Sequence, residues 1–426
     1  MMIQLVIGVV FFVLLFILIS LEVINKTILA MLGAVLFIAM GIVNQHQAYE
    51  EIDWHVIFLL IGMMVIVGIT KRSGLFQYIA IKLAKLVNGD PVKILILFSI
   101  LTAILSALLD NVTTVLILTP VIILISVELG LNPIPFIISS ALASNIGGMA
   151  TLIGDPPNIM IGSAAGLGFT DFIINLGPLV LILLFSHCVL ILLFFKKKME
   201  VSMERRARIM EFDERASITD KALLIKSLSV LFLVLLLFLL HGLITLEPST
   251  VALGGAALLM LLAGGDEVED FFHEVEWSTI FFFIGLFIMV GGLVELGVIN
   301  FLAEKYLQLT AGNLVLTSES IIWVSGFLSA FLDNIPYVAT MIPLVERLGQ
   351  DIGQASIGPV WWSLAIGACL GGNGTLIGAS ANVVSAGISG RSGYKISFME
   401  FTKYGMIIMV ITLAISSVYV YLRYLI

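Results

Sequence analysis

Charge is scarce in this chain: Asp, Glu, Lys and Arg make up 12% of 426 residues, about half the share found in soluble domains. With 60% of the residues hydrophobic, no water-facing shell could cover the core, which excludes a soluble globular protein. Cysteine is nearly absent: Cys188 and Cys369 are the two in the sequence, so a disulfide framework does not organise the fold. No Lys-Ser/Thr pair follows Gly147-Gly148, which removes a phosphate-binding loop and with it an ATPase. The first apolar run, Ile3 to Leu21, has no basic stretch ahead of it and no small-residue cleavage site behind it, so it is expected to be retained rather than cleaved as a signal. Nor do apolar and polar residues alternate over about ten positions, as the strands of a membrane barrel require.

What is present is a series of apolar blocks, such as Ile3–Leu21, Ile28–Val43 and Leu223–Leu240, near the roughly 20 residues that span a bilayer as a helix. The chain therefore reads as an all-α membrane protein. Its longest hydrophilic stretch, Lys196 to Lys226, carries nine Lys or Arg interleaved with Glu200, Glu204, Glu211, Asp213 and Glu214. Mixed charge of this kind does not suit a nucleic-acid partner, and a basic loop between apolar segments is expected in the cytoplasm.

The sequence is duplicated. A shift of 223 positions lays Asp53-Trp54 on Glu276-Trp277, Gly62, Gly68 and Gly74 on Gly285, Gly291 and Gly297, and Asp110-Asn111 on Asp333-Asn334. At an offset of 224, Gly147-Gly148, Thr151 and Asn158 meet Gly371-Gly372, Thr375 and Asn382. Residues 1–195 form the first repeat, 196–222 a linker and 223–426 the second repeat. In each half, two apolar arms flank an Asp-Asn pair (92–128 and 314–349), and a helix interrupted by glycines follows (134–166 and 357–388). If the arms form a re-entrant hairpin, each repeat has five crossings plus the hairpin, and the odd number inverts the second repeat. With the linker inside, eighteen of the 21 Lys and Arg fall on the inner side, leaving Lys305, Arg347 and Arg423 outside. Two independent spans in place of the hairpin would move Lys71, Arg72, Lys82, Lys85 and Lys93 out, against the positive-inside rule. The expected protein is a multi-pass protein of the inner (plasma) membrane, its linker cytoplasmic and its termini on the outer side.

Breaks in transmembrane helices expose backbone that lipid cannot satisfy, and transporters built from inverted repeats bind solute at such breaks near the midplane. The candidate substrate or ion ligands are accordingly Asp110, Asn111 and Thr113 in the first hairpin and Asp333 and Asn334 in the second, where Pro336 follows. From the first broken helix come Asn145, Gly147, Gly148, Thr151, Asp155 and Asn158, and from the second Asn373, Thr375, Ser380 and Asn382. An aspartate at membrane depth costs about 2.5–3.5 kcal/mol on insertion scales, which marks it as functional; each is also a good N-cap for the arm that follows. Pro156 and Pro157 are expected to keep the first gap open. Asp155-Pro156-Pro157 faces Ala379-Ser380-Ala381 in the second half, so a carboxylate stands on one side only, and Asp155 is the candidate for the coupling ion. His187 reads as a packing histidine, Trp54 and Trp277 as interfacial anchors, and Cys369 as a small buried residue. No metal site is expected apart from sodium at Asp110, Asn111, Asp333 and Asn334, and no cofactor.

The runs LDNVTTVLILTP, SNIGGMATLIGDPPNIMIG, FLDNIPYVATMIPLV and LGGNGTLIGASANVVSAGI resemble the ion transporter superfamily over nearly the whole chain. The likeness is to the branch of ArsB-type arsenical pump membrane proteins and the pink-eyed-dilution P protein, with NhaD-type sodium/proton antiporters as relatives. It implies two opposed hairpins, a scaffold that often dimerises, an elevator-like transport domain and, for an ArsB-like member, a soluble ATPase subunit. Related dicarboxylate carriers have Ser-Asn-Thr at the tips, where this chain has aspartate. With no Arg or Lys at any of the four breaks in the sequence, a small inorganic solute is expected, coupled to protons or sodium. The leading expectation is proton-coupled efflux of arsenite and antimonite, and the alternative is sodium/proton antiport. A transporter is favoured over a channel or an intramembrane protease because Asp110 and Asp333 occupy equivalent places in the two repeats.

Overall fold

A computed structural model describes residues 2–20, 24–240, 246–264, 268–353 and 356–426, and among them every regular element is helical. The first half runs α1 (Met2–Ser20), α2 (Lys26–Ala39), a short α3 (Gln45–Glu50), α4 (Trp54–Arg72), α5 (Leu75–Leu86), α6 (Pro91–Leu108), α7 (Asn111–Glu128), α8 (Ile134–Gly148), α9 (Pro156–Ala165) and α10 (Phe169–Phe195). After α11 (Met203–Glu211) the same order recurs. It comprises α12 (Lys221–Leu239), α13 (Pro248–Gly264), α14 (Val268–Phe272), α15 (Trp277–Glu295), α16 (Val298–Thr310), α17 (Leu314–Ser329), α18 (Asn334–Ile352), α19 (Gly358–Gly371), α20 (Ser380–Arg391) and α21 (Phe398–Val420). The apolar run Ile3–Leu21 is helical as far as it is described, to Ser20; residues 21–23 and 265–267 lie outside the described residues.

Among the described residues seven helices are long and apolar enough to cross a membrane, or eight if α16 and α17, which meet at 116°, form one bent span. Their outward faces are apolar: Leu181, Phe185 and Leu193 on α10 and Phe232 on α12 are each about 70% exposed, a surface suited to lipid. Trp54 and Trp277 are exposed at the starts of equivalent helices. Equivalent chain reversals lead into α5 and α16, where Gly74 (φ 79°) and Gly297 (φ 74°) take the left-handed conformation that a side chain would strain.

The helices sort into two groups. In the first, α2 packs on α15 and α13 on α4, with α1 and α12 alongside. Each main pair joins one half to the other, and the shift of 223 turns one pair into the other. Small residues set both: a Cβ at Gly62 would come within 2.6 Å of the Ala252 backbone, and one at Gly285 within 2.6 Å of the Ala30 backbone. In the second group α6 packs on α8 and α17 on α19, while α7 meets α20 and α18 meets α9. Gly147 brings α8 so close to α6 that a Cβ there would run into the Ala103 carbonyl oxygen.

Two local expectations need correction. Gly147 and Gly148 are still helical, and Pro156 and Pro157 form the first turn of α9. The first gap is therefore 149–155, because proline is tolerated in a helix's opening turn, where its missing N–H has no partner to lose. The linker is also more than a connection. Its ion pairs Arg206–Asp90 (3.2 Å), Lys85–Glu214 (2.6 Å) and Arg208–Glu128 (3.8 Å) dock it on the first half, and Thr219 N donates to Ser73 O at 3.1 Å.

Candidate functional site

The two Asp-Asn tips and the two helix gaps converge. Asp110 ends the α6–α7 turn and accepts from Thr113 N at 2.7 Å, and Asp333 accepts from Ile335 N at 3.1 Å, so both act as N-caps. Asp155 stands in the N-cap position of α9 but its side chain caps nothing. Its buried carboxylate turns instead to the tips: Asn111 Nδ2 donates to Oδ1 at 3.1 Å, and Asn334 Nδ2 lies 3.3 and 3.2 Å from the two oxygens. One carboxylate thus gathers an amide from each hairpin.

Asparagines build the rest of the centre. Asn145 of α8 accepts from Asn111 at 3.1 Å and donates to Asn373 Oδ1 at 3.0 Å and Asn382 Oδ1 at 3.2 Å. Asn158 spans its own gap through Gly148 O (3.2 Å) and Thr151 O (2.9 Å), and Asn382 does the same through Gly372 O (2.7 Å) and Thr375 O (3.1 Å). Thr151 Oγ1 donates to Ala107 O at 2.5 Å and Thr375 Oγ1 to Ala330 O, fastening each gap to the neighbouring arm. Cys369 Sγ lies 3.5 Å from Asn158 Oδ1. Among these buried groups two atoms have no partner, the acceptor Asn111 Oδ1 and the donor Asn373 Nδ2. An unsatisfied buried polar group costs about 1–3 kcal/mol, so each is a hydrogen-bonding position left open at the centre.

Not every expected ligand joins this centre. The Asp110 carboxylate serves its own helix, and Thr113 takes part through its backbone N–H. Asp333 and Ser380 form a separate cluster whose third member the sequence does not reveal: Lys26 Nζ is 2.6 Å from Asp333 Oδ2 and 2.8 Å from Ser380 Oγ, which in turn donates to Asp333 at 3.0 Å. The statement that no Lys or Arg lies at the breaks holds along the sequence but not in space. Lys26 arrives from the first residue of α2, 307 positions from Asp333. The one signal that could have found it is its position, since a cation at a helix N-terminus opposes the macrodipole. Sodium at Asp333 would have to displace this ammonium, and among the described residues no group of three His, Cys, Asp or Glu side chains is arranged to hold a metal.

Beside the first gap lies a cavity of about 300 Å³, lined by His55, Leu59, Leu152, Ser163, Glu247 and Ser249. It lies between the half-helix α9 and the starts of α4 and α13, with α9 and α4 in contact beside it. His187 is buried away from it, with Nε2 3.1 Å from Ser139 O.

Residues 16–367 match the protein-family model CitMHS, described as Citrate transporter. The chain is 46% identical over 424 residues to an uncharacterized transporter of Mycobacterium tuberculosis, with 98% of both chains covered. It is 43% identical over 426 residues to the 46 kDa membrane protein of Mycobacterium leprae, with 99% of both covered. It is 33% identical over 485 residues to the P protein of Homo sapiens, where the match covers 94% of this chain and 58% of that protein.

Proposed function

The chain belongs to the CitMHS citrate transporter family and is a membrane transporter, and on that premise we propose that it carries arsenite and antimonite, as their neutral hydroxylated acids, out of the cell in exchange for protons. The observation that carries this reading is the asparagine network around Asp155, with a partnerless buried acceptor at Asn111 Oδ1 and a partnerless buried donor at Asn373 Nδ2. A solute bearing several hydroxyl groups offers both the donor that Asn111 Oδ1 lacks and the acceptor that Asn373 Nδ2 lacks. Asp155 is the proton-exchanging group, set between the two tips. Citrate, named in the family's description, suits the site less: its three carboxylates need cations, and the lysine at hand is engaged by Asp333. Sodium/proton antiport is the second reading, favoured by the carboxylates of Asp110, Asp155 and Asp333 at the tips and first gap, and opposed by the ammonium at Asp333.

The architecture proposed for this activity is a pair of inverted-topology repeats, each with five crossings and a re-entrant hairpin, in the inner membrane with the linker cytoplasmic. The arms α6 and α7 are each long enough to span, so the distribution of Lys and Arg supports the hairpin, not length. The group built on α2–α15 and α4–α13 would stay fixed while the hairpins and half-helices move in an elevator-like manner.

Everted vesicles holding a pH-sensitive dye under an imposed proton gradient test the activity. Arsenite or antimonite should release protons, and sodium or citrate alone should not. The Asp155→Asn variant should abolish the response. Proton movement driven by sodium alone, or by citrate alone, overturns the metalloid reading; a metalloid response that survives Asp155→Asn overturns the assignment of the carboxylate.

A further inference from the structure

The ion pair at Lys26 joins the two helix groups, and that position gives it a role beyond neutralising Asp333. Asp333 lies at the tip between α17 and α18, and Ser380 starts the half-helix α20; both belong to the hairpin and half-helix group. Lys26 starts α2, which is packed on α15 in the other group. An ammonium has three donors. Two are directed at Asp333 Oδ2 and Ser380 Oγ, and the Nζ also sits 5.1 Å from the centre of the Phe282 ring of α15. The pair is shielded, with side-chain exposures of 24% for Lys26 and 9% for Asp333. The N-terminus of its own helix repels a cation, so Lys26 is held there by what it binds.

The duplication supplies the contrast. At the offset of 223, Asp333 corresponds to Asp110 but Lys26 corresponds to Ser249, and at 224 Ser380 corresponds to Pro156. The first flank therefore has no ammonium and no hydroxyl at the half-helix start. Where the lysine would reach, Ser249 lines the 300 Å³ cavity that extends to Leu152 in the first gap. One flank between the two groups is held by an ion pair; at its counterpart α9 touches α4, and a cavity lies where the lysine would reach.

We propose that Lys26 is the internal cation of the second hairpin: its ammonium takes the position at which a coupling cation would meet Asp333, and it latches the α18 tip and α20 to α2, closing that flank. Movement of the hairpin group past α2 then requires the pair to part. A chain with this lysine has no use for sodium at the second tip; without it, the site is left as a carboxylate and a hydroxyl to which sodium binds.

The native thiol Cys369, buried beside Asn158, reports opening of the centre without any solute, so a failure here leaves the reading of the solute untouched. In full-length protein carrying Cys188→Ser and reconstituted in liposomes, alkylation of Cys369 by N-ethylmaleimide is followed by mass spectrometry. Lys26→Met should speed alkylation by about twofold to fivefold, the population shift released by losing an ion pair, and Lys26→Arg should stay near the parent rate. Sodium in place of choline should slow alkylation again in Lys26→Met and leave the parent unchanged. Should Lys26→Met destabilise the protein, Lys26→Gln, which keeps a polar end without the charge and leaves the Asp333 cap in place, provides the second measurement and should also speed alkylation. Parent-like alkylation in Lys26→Met, or in folded Lys26→Gln, overturns the latch. A sodium response in the parent equal to that in Lys26→Met overturns the cation substitution.

Discussion

Asn145→Ala removes the hub of the centre, and its cost follows from the bonds that converge there. The side chain is fully buried and makes three hydrogen bonds to three separate segments, through Asn111, Asn373 and Asn382. At about 1 kcal/mol net for each bond, their loss amounts to about 3 kcal/mol. The partners do not fare equally afterwards. Asn111 Nδ2 keeps Asp155, and Asn382 keeps its two carbonyls across the second gap. Asn373 loses the bond to its oxygen while its nitrogen already has no partner, so an entire buried amide is stranded, at about 1–3 kcal/mol more. At roughly 2 °C per kcal/mol for a chain of this size, the apparent melting temperature should fall by roughly 8–12 °C. The measurement uses purified protein carrying Cys188→Ser, in detergent, and a maleimide dye that lights up as Cys369 becomes reachable. Asn145→Asp should melt as low, because it sets a carboxylate against the amide oxygens of Asn373 and Asn382. A melting temperature for Asn145→Ala within about 2 °C of the parent, with Cys369 still protected, would show that the asparagines do not bear on one another and would refute the hub.

Two further outcomes test the packing and the linker. Gly147→Ala should lower stability by about 1–3 kcal/mol or more, because its Cβ meets the backbone oxygen of Ala103 rather than a flexible side chain; Gly387→Ala, at a position open on all sides, is the control and should express and melt like the parent. Lys85, hydrogen-bonded to Glu214, holds that carboxyl below its ordinary value of 4.5. A depressed pKa gives docking stability that is present above the ordinary value and is lost as pH falls through the depressed one. Protection from hydrogen exchange at residues 213–219, referred to the intrinsic rate at each pH, should therefore fall on acidification below pH 4.5 in the parent. In Lys85→Met protection should already be low at neutral pH and change little on acidification, and a parent-like profile in that variant would sink the assignment.

The parts of the site that can be read along the chain are those built from neighbours. Asp110-Asn111 and Asp333-Asn334 announce a break because a polar pair between two apolar arms has no other use, and Gly147-Gly148 and Gly371-Gly372 mark close approach because they recur at one offset. The asymmetry at Asp155 is legible for the same reason. The destination of its side chain is not: a residue in an N-cap position ordinarily caps, and only the folded arrangement turns Asp155 away from α9 and toward Asn111 and Asn334. Lys26 is illegible because α2 reads as an ordinary apolar helix with one basic end, and its partner lies 307 positions away. The linker misleads in the other direction, since mixed charge suggests a solvated stretch whereas Arg206 and Glu214 dock on Asp90 and Lys85.

The two halves have diverged in opposite senses at equivalent places. The first half has gained a carboxylate, Asp155 against Ala379, and the second is served by an ammonium, Lys26 against Ser249. If the repeats are inverted, the carrier changes sides when each half adopts the other's conformation, and whatever differs between them cannot be exchanged. In the state described here the ammonium holds Asp333 and Ser380 on one flank while the other flank has a cavity at Ser249. In the exchanged state the cavity falls on the flank that contains Lys26, and the opposite flank has Ser249, 3.3 Å from His55 Nδ1, where the second has its ammonium. The closed contact is then a hydroxyl rather than an ion pair, so the two end states differ in energy even when the carrier is empty. A ligand can move such an equilibrium only through its unequal affinity for the two states. Asp155 is placed to supply that inequality, because it touches both tips and either tip's displacement changes how many amides its carboxylate holds.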